Sequence, residues 1–278
     1  CMHQSRLNNF LVLSFLLLSS HLYGAGSSSS YPLDDVSPDL TDKESLQRGA
    51  RTFVNYCMGC HEMKYQRFQR VAEDLDIPEE AMMSNLVFDP SKKFGSHMSN
   101  SMSVSNAKQW FGNVPPDLTL YTKLKGGPEY FYTYMRVFYE DSSRPFGVNN
   151  LLYENVGMPH PLVHLQGIQK KVCKDVPRIA KNGGEMREAI TGRPLLENKC
   201  GEELVNRGVS PLELVENSGE LSIEGYDSLI YDLTNFLYYS GDPSRLERQR
   251  IGGFVLLFLA FFYVFAWLLG REYTKEIH

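Results

Sequence analysis

The sequence predicts a mainly α-helical domain tied to a membrane by one carboxyl-terminal transmembrane helix. Three observations predict it. Apolar residues recur at helical spacing in three separate segments, alternating strand patterns are scarce, and the twenty residues from Ile251 to Gly270 carry no charge. At 278 residues, with 42% hydrophobic and 22% charged content, the chain has the composition of an ordinary globular protein, which excludes wholesale disorder and a multi-span membrane protein. Lys and Arg total 28 against 33 Asp and Glu, a formal net charge of -5 that argues against a nucleic-acid partner. No internal repeat or clear linker interrupts the stretch from Tyr31 to Arg248, so one soluble domain is expected.

At the amino end, Phe10 to Leu18 form an uncharged run of nine, preceded by Arg6 and followed by small residues up to Gly26. This is the pattern of a secretory signal peptide, and as a helix it is about 14 Å long, too short to span a ~30 Å hydrocarbon core. The expected peptide is residues 1–25, with cleavage near Ala25; Tyr23 is bulky for that site, and cleavage after Gly26 places Gly24 there instead. The serines 27–30 then form a flexible new terminus.

Thr41 to Glu44 fits a Ser/Thr-x-x-Glu capping box, and Leu46, Ala50, Phe53 and Cys57 follow at helical spacing, so a helix is expected over about 42–56. A second is expected over 129–138, rich in Tyr and Phe, and a third over 226–239, where Leu229, Leu233, Phe236 and Leu237 form one stripe. The Gly-, Pro- and Asn-rich stretch 142–161 reads as a long loop, a kind that usually carries function. The last element is the anchor, expected over 249–271. It is bracketed by Arg250 and Arg271, with Trp267 and Tyr273 near an interface. Arg245, Arg248 and Arg250 precede it and Arg271 and Lys275 follow it, so the bias of basic residues toward the cytoplasm does not orient it. The signal peptide does: residues 26–248 are exported and the tail 272–278 stays in the cytoplasm.

Cys57-Met58-Gly59-Cys60-His61 is the Cys-x-x-Cys-His pattern of covalent c-type haem attachment. Two thiols three residues apart at a helix end reach the two vinyl groups of one porphyrin as thioethers, and the adjacent imidazole becomes an axial ligand of the iron. A thioredoxin-like pair needs a strand-helix context that is lacking, and half a zinc site needs a second close pair of ligands, whereas Cys173 and Cys200 stand 27 residues apart. For the sixth ligand, Met58 lies inside the attachment loop and Met135 in an aromatic helix stripe. Met158 lies in Asn155-Val156-Gly157-Met158-Pro159-His160-Pro161, a stiff extended loop able to present a thioether. His160, His97 and His164 are the rivals. A thioether opposite His raises the reduction potential relative to two imidazoles. With both axial positions filled, the expected activity is outer-sphere electron transfer by a carrier that is not itself a catalyst.

Together with Val114-Pro115-Pro116-Asp117-Leu118-Thr119, the Gly157-Met158-Pro159 segment and the anchor preceded by Leu246-Glu247-Arg248, this motif makes the chain resemble the cytochrome c1 family in its proteobacterial form. The resemblance covers essentially the whole mature chain. It implies a class I cytochrome c-like haem domain with insertions, placed in the periplasm and held at the inner membrane. It also implies one haem c on Cys57 and Cys60, with His61 and Met158 on its iron. As the haem subunit of a respiratory ubiquinol–cytochrome c reductase (cytochrome bc1) complex, such a protein takes electrons from the Rieske iron-sulfur protein. It passes them to a cytochrome c, with cytochrome b as a further partner. In that fold the first helix crosses the last, which suits Gly49 and Phe53 against Leu233 and Phe236. Where relatives place arginine on a haem propionate, this chain has Lys123 and Lys125 before Gly126-Gly127, without the two-pronged donor geometry, and Tyr130 and Arg136 are further candidates.

Two other features invite expectation. Loss of Cys1 with the signal peptide leaves Cys173 and Cys200 beside the haem pair, an even remainder that suggests a disulfide. Residues 197–224 hold seven Glu against Lys199 and Arg207, a local balance of -5 suited to steering a basic cytochrome or simply to a solvated insertion. Alternative functions are a free-standing membrane-tethered cytochrome c feeding an oxidase or reductase, and a haem-free anchored scaffold.

Overall fold

Among the described residues Asp42 starts the first helix, α1 (Lys43–Thr52), by accepting the Ser45 amide proton on its carboxylate at 2.9 Å. The computed structural model describes residues 31–124, 126–180 and 183–275, so the expected signal peptide and Lys125 lie outside the described residues. The cap falls one residue after the expected capping-box threonine, because the Thr41 hydroxyl donates instead to Asp39 at 2.6 Å. After Thr52 the helix widens into a π turn, Phe53–Cys57, in which the Met58 amide reaches back to the Phe53 carbonyl at 2.9 Å. Among the described residues four further helices have eight residues or more: α2 (Val104–Phe111), α3 (Gly127–Arg136), α4 (Ile223–Ser240) and α5 (Arg245–Lys275).

The core is the crossing of α1 and α4. A Cβ added at Gly49 would stand 2.1 Å from the Asp232 carbonyl oxygen and 2.7 Å from Phe236 Cβ, so the two backbones meet where only glycine fits. Phe53 and Phe236 pack with ring centroids 5.9 Å apart, and both are fully buried with Leu233 and Leu237. A polar strap seals one side of the crossing. Asp232 accepts from the Ser45 hydroxyl at 2.6 Å and from two Arg48 nitrogens at 2.6 and 3.0 Å, while Asn235 donates to Ser45 at 2.8 Å.

Helix α3 begins two residues before the expected start, with Gly126 in the left-handed region at φ 71° and Pro128 in the first turn, where its missing N–H costs nothing. It stops at Arg136, and Phe138 already belongs to a strand. Among the described residues the strands form four two-stranded antiparallel ribbons. β1 (Met63–Arg67) pairs with β2 (His97–Met98), and β3 (Phe138–Glu140) with β4 (Val148–Asn150), which gives part of the expected loop 142–161 a regular edge. β5 (Gln169–Lys171) pairs with β8 (Leu212–Leu214), and β6 (Cys173–Pro177) with β7 (Leu196–Cys200), making an insertion closed by a Cys173–Cys200 disulfide at opposed register positions.

Helix α5 is 31 residues long, with a mean hydropathy of 2.4 over its best window and no buried residue, and by length and composition it is able to cross a membrane. It starts at Arg245, before the apolar run, and continues to Lys275.

Candidate functional site

The π turn ends on Cys57, and the next four residues wrap around its carbonyl, which accepts from the Cys60 amide at 3.0 Å and the His61 amide at 2.8 Å. Neither cysteine is in a disulfide; Cys57 is buried in the core and Cys60 is half-exposed. Burial pushes the Cys57 thiol up to about 12 and raises that of Cys60, so neither is a thiolate at neutral pH. No group of three or more His, Cys, Asp or Glu side chains converges among the described residues.

His61 is fixed by the segment 114–119. Its Nδ1 donates to the Pro116 carbonyl at 2.8 Å, and burial holds the imidazole below its usual value, hence neutral. With the proton on Nδ1, the Nε2 lone pair is left for a metal, the tautomer an axial ligand requires. Asp117 locks the carbonyl in place, accepting from Lys64 N at 2.8 Å and Thr119 N at 3.0 Å, and the Leu118 amide donates to Glu62 O at 2.8 Å. The Pro-Pro-Asp-Leu run therefore works as a brace along the chain that leaves the motif. Two free thiols and a pre-oriented neutral imidazole within five residues fit a covalently attached haem.

Met158 is half-buried against the core, and the Tyr134 hydroxyl points at its sulfur at 3.7 Å. Its loop is held by Arg144, which donates to Asn155 O at 2.8 Å, to Val156 O at 3.3 Å and to Asn155 Oδ1 at 3.1 Å, with Asn155 itself left-handed at φ 59°. Tyr134 and Arg144 escaped the sequence reading. Tyr134 shares an aromatic stripe with Tyr130, its i−4 neighbour, and nothing in the stripe ranks one above the other. Among the rival ligands, His97 is exposed on β2, and His164 is exposed with its ring 5.5 Å from Tyr56. His160 is buried and stacked on Phe138 at 4.6 Å, with Nε2 2.6 Å from Gln166 Oε1 and Nδ1 without a partner.

The propionate candidates fare differently. Arg136 has other partners: it pairs with Asp227 at 2.6 and 2.8 Å and with Asp34 at 2.6 Å, so its guanidinium is spent on two carboxylates. Lys123 does too, because the short helix Tyr121–Leu124 lays its stem across Gly241 and sets its ammonium 3.3 Å from the Tyr238 ring centroid, at the foot of α5. Tyr130 is buried and stacks on Tyr134 at 6.2 Å, one ring removed from Met158. In the acidic stretch 197–224, Glu197 pairs with Arg207 at 2.6 Å and Glu203 with Lys199 at 3.1 Å, so part of its charge is neutralised internally.

A sequence model of the Cytochrome C1 family matches residues 37–168, which include the attachment motif, the brace and the Met158 loop. The chain is 42% identical to cytochrome c1 of Allochromatium vinosum, over 98% of this chain and 100% of that protein. It is 35% identical to the ammonia monooxygenase gamma subunit of Nitrosomonas europaea, again over 98% and 100%. Cytochrome b/c1 of Bradyrhizobium diazoefficiens is 23% identical over 85% of this chain and 34% of that protein. End-to-end similarity at this level, on a chain whose histidine brace and anchor helix are where such a carrier needs them, establishes that it belongs to the cytochrome c1 family, membrane-anchored haem proteins of respiratory electron transport.

Proposed function

We propose that the chain is the haem-bearing subunit of a cytochrome bc1 complex, taking electrons from a Rieske iron-sulfur protein and delivering them to a cytochrome c. The observation that carries this reading is the His61 Nδ1 to Pro116 carbonyl bond, which leaves Nε2 available to hold a haem iron. One haem c supplies a reversible one-electron iron couple when bound. Cys57 and Cys60 hold it as thioethers, and His61 and Met158 ligate it. The Tyr134 hydroxyl and the Arg144 clamp position the Met158 sulfur.

Residues 1–25 export the domain 26–248 to the periplasm, 249–271 cross the inner membrane, and the tail from 272 stays in the cytoplasm. The Bradyrhizobium relative, whose name joins b and c1 in one protein, supports cytochrome b as a partner. The remaining carboxylates of 197–224 face a basic acceptor, and raising ionic strength is expected to slow electron delivery to it.

Co-purification tests the assembly. A tagged chain expressed in its native membrane is expected to bring down a cytochrome b and a Rieske protein, and to stain for covalent haem on a denaturing gel. Recovery alone, or with subunits of a monooxygenase, of which one relative bears the name, rejects the assignment.

A further inference from the structure

Arg245, Arg248 and Arg250 precede the apolar run, and on the topology proposed above they stand on the exported side, against the general bias of basic residues. Arg248 is neutralised by two bonds to Asp242, at 3.0 and 2.6 Å. Arg245 and Lys123 are not. Both lie against one neutral ring: the Lys123 ammonium is 3.3 Å and the Arg245 guanidinium carbon 5.1 Å from the Tyr238 centroid, and Arg245 also donates to the Tyr238 hydroxyl. Among the described residues neither cation takes part in an ion pair, Asp242 being taken by Arg248. Burial and the charge of Arg245 hold the Lys123 ammonium below its usual value, with Arg248 adding to the repulsion and Asp242 partly offsetting it. Gly241 keeps the lysine there, since a Cβ at that position would lie 2.8 Å from Lys123 Cγ.

Beside Tyr238 opens a cavity of about 420 Å³ between residues 36–41 and the first turns of α5, with Arg245, Leu246 and Gln249 on its wall. Asp39 and Glu129 also reach the wall. Neither pairs with Arg245, and Asp39 already accepts from the Thr41 amide and hydroxyl. One turn further along α5, Ile251 and then Phe254 begin the exposed apolar surface. Two unpaired cations above a lipid-facing helix call for an amphiphile with an anionic head and apolar tails.

We propose that this junction binds an anionic phospholipid from the leaflet on the haem-domain side, its phosphate held by Lys123 and Arg245 and its acyl chains lying along α5 from Ile251.

The test is native mass spectrometry of the full-length, haem-loaded protein in mild detergent with a mixture of phosphatidylglycerol and phosphatidylcholine. The wild-type chain is expected to retain phosphatidylglycerol in preference. Lys123→Gln with Arg245→Gln should weaken retention about twenty-five-fold, as each basic residue near a membrane surface contributes about a factor of five. Arg271→Gln with Lys275→Gln, at the other end of α5, should leave it unchanged, and Lys123→Arg with Arg245→Lys should restore it. Haem absorbance reports folding in every variant. Equal retention of the two lipids by the wild type, or undiminished retention in the neutral double variant, overturns the proposal. So does displacement of the lipid by millimolar inorganic phosphate, which would mark a free-anion site, or loss in the charge-preserving variant.

Discussion

The Nδ1 nitrogen of His61 donates to the Pro116 carbonyl across 2.8 Å, joining residues 55 positions apart. An imidazole with an acceptor on one nitrogen is a stronger electron donor through the other, so if His61 ligates a haem iron the contact favours its oxidised form. Pro116→Ala frees the backbone torsion that aims the carbonyl. Redox titration is expected to show a midpoint potential raised by tens of millivolts, the scale of about 1 kcal/mol in a one-electron couple. An unchanged midpoint removes the brace from any role in tuning.

Met158→Leu deletes the sulfur that Tyr134 approaches at 3.7 Å. If the thioether is the sixth ligand, its loss lowers the potential on the order of 100 mV or more and opens the iron to added ligands such as carbon monoxide. Tyr134→Phe, which keeps the sulfur and removes its hydrogen-bond donor, should shift the potential by only tens of millivolts. His160→Gln separates the rival ligand. A larger fall there than in Met158→Leu assigns the iron to His160.

Gly49→Ala tests the helix crossing. Its added Cβ meets the Asp232 carbonyl, a backbone atom that cannot swing aside, so α1 and α4 must part. Overpacking of this kind costs about 3 kcal/mol, to be read as a lowered denaturant midpoint in the haem-loaded protein. A loss below about 0.5 kcal/mol means that the crossing is looser than its geometry.

These cases show what a sequence carries openly. The attachment motif is local, and Leu233 and Phe236 repeat at helical spacing, so helix and motif were legible, whereas the crossing was expected only from the family resemblance. Pro116 acts through its carbonyl, which leaves no residue-type signature. The place of Lys123 was not legible, because its direction is set by Tyr238, far along the chain, and by the bare Cα of Gly241. The ribbons were missed because strands of two to five residues are too short to display alternation, and one of them is fastened by a disulfide.

Alkaline pH is expected to unfold the domain through two buried phenols. Tyr226 donates to the Met135 carbonyl at 2.9 Å and Tyr239 to Asp74 at 2.6 Å, and burial is the first cause that lifts both above the ordinary phenol range. In the unfolded chain they ionise near pH 10, whereas in the fold they stay neutral, so the native state binds more protons. Their contribution is whole below about pH 10 and is lost as pH rises from there toward the folded values, at up to about 1.4 kcal/mol per unit for each. Replacing both with Phe should flatten this limb in denaturant melts. A slope as steep as that of the parent chain assigns alkaline unfolding to other groups.

The Cys173–Cys200 disulfide closes the ribbon insertion. A cross-link across a 27-residue separation stabilises by about 3 to 4 kcal/mol in the chain-entropy model. The insertion has few buried anchors of its own, among them Leu204 and Leu212, so its loss should be local. Cys173→Ser with Cys200→Ser is expected to expose the segment between β6 and β7, where Ile190 is 93% exposed, to rapid proteolysis while the haem potential stays within a few millivolts of the parent. Reductant should reproduce the cleavage in the parent chain. If the potential falls together with the protease resistance, the insertion and the haem site unfold as one unit, and the disulfide is part of what holds Met158 in place.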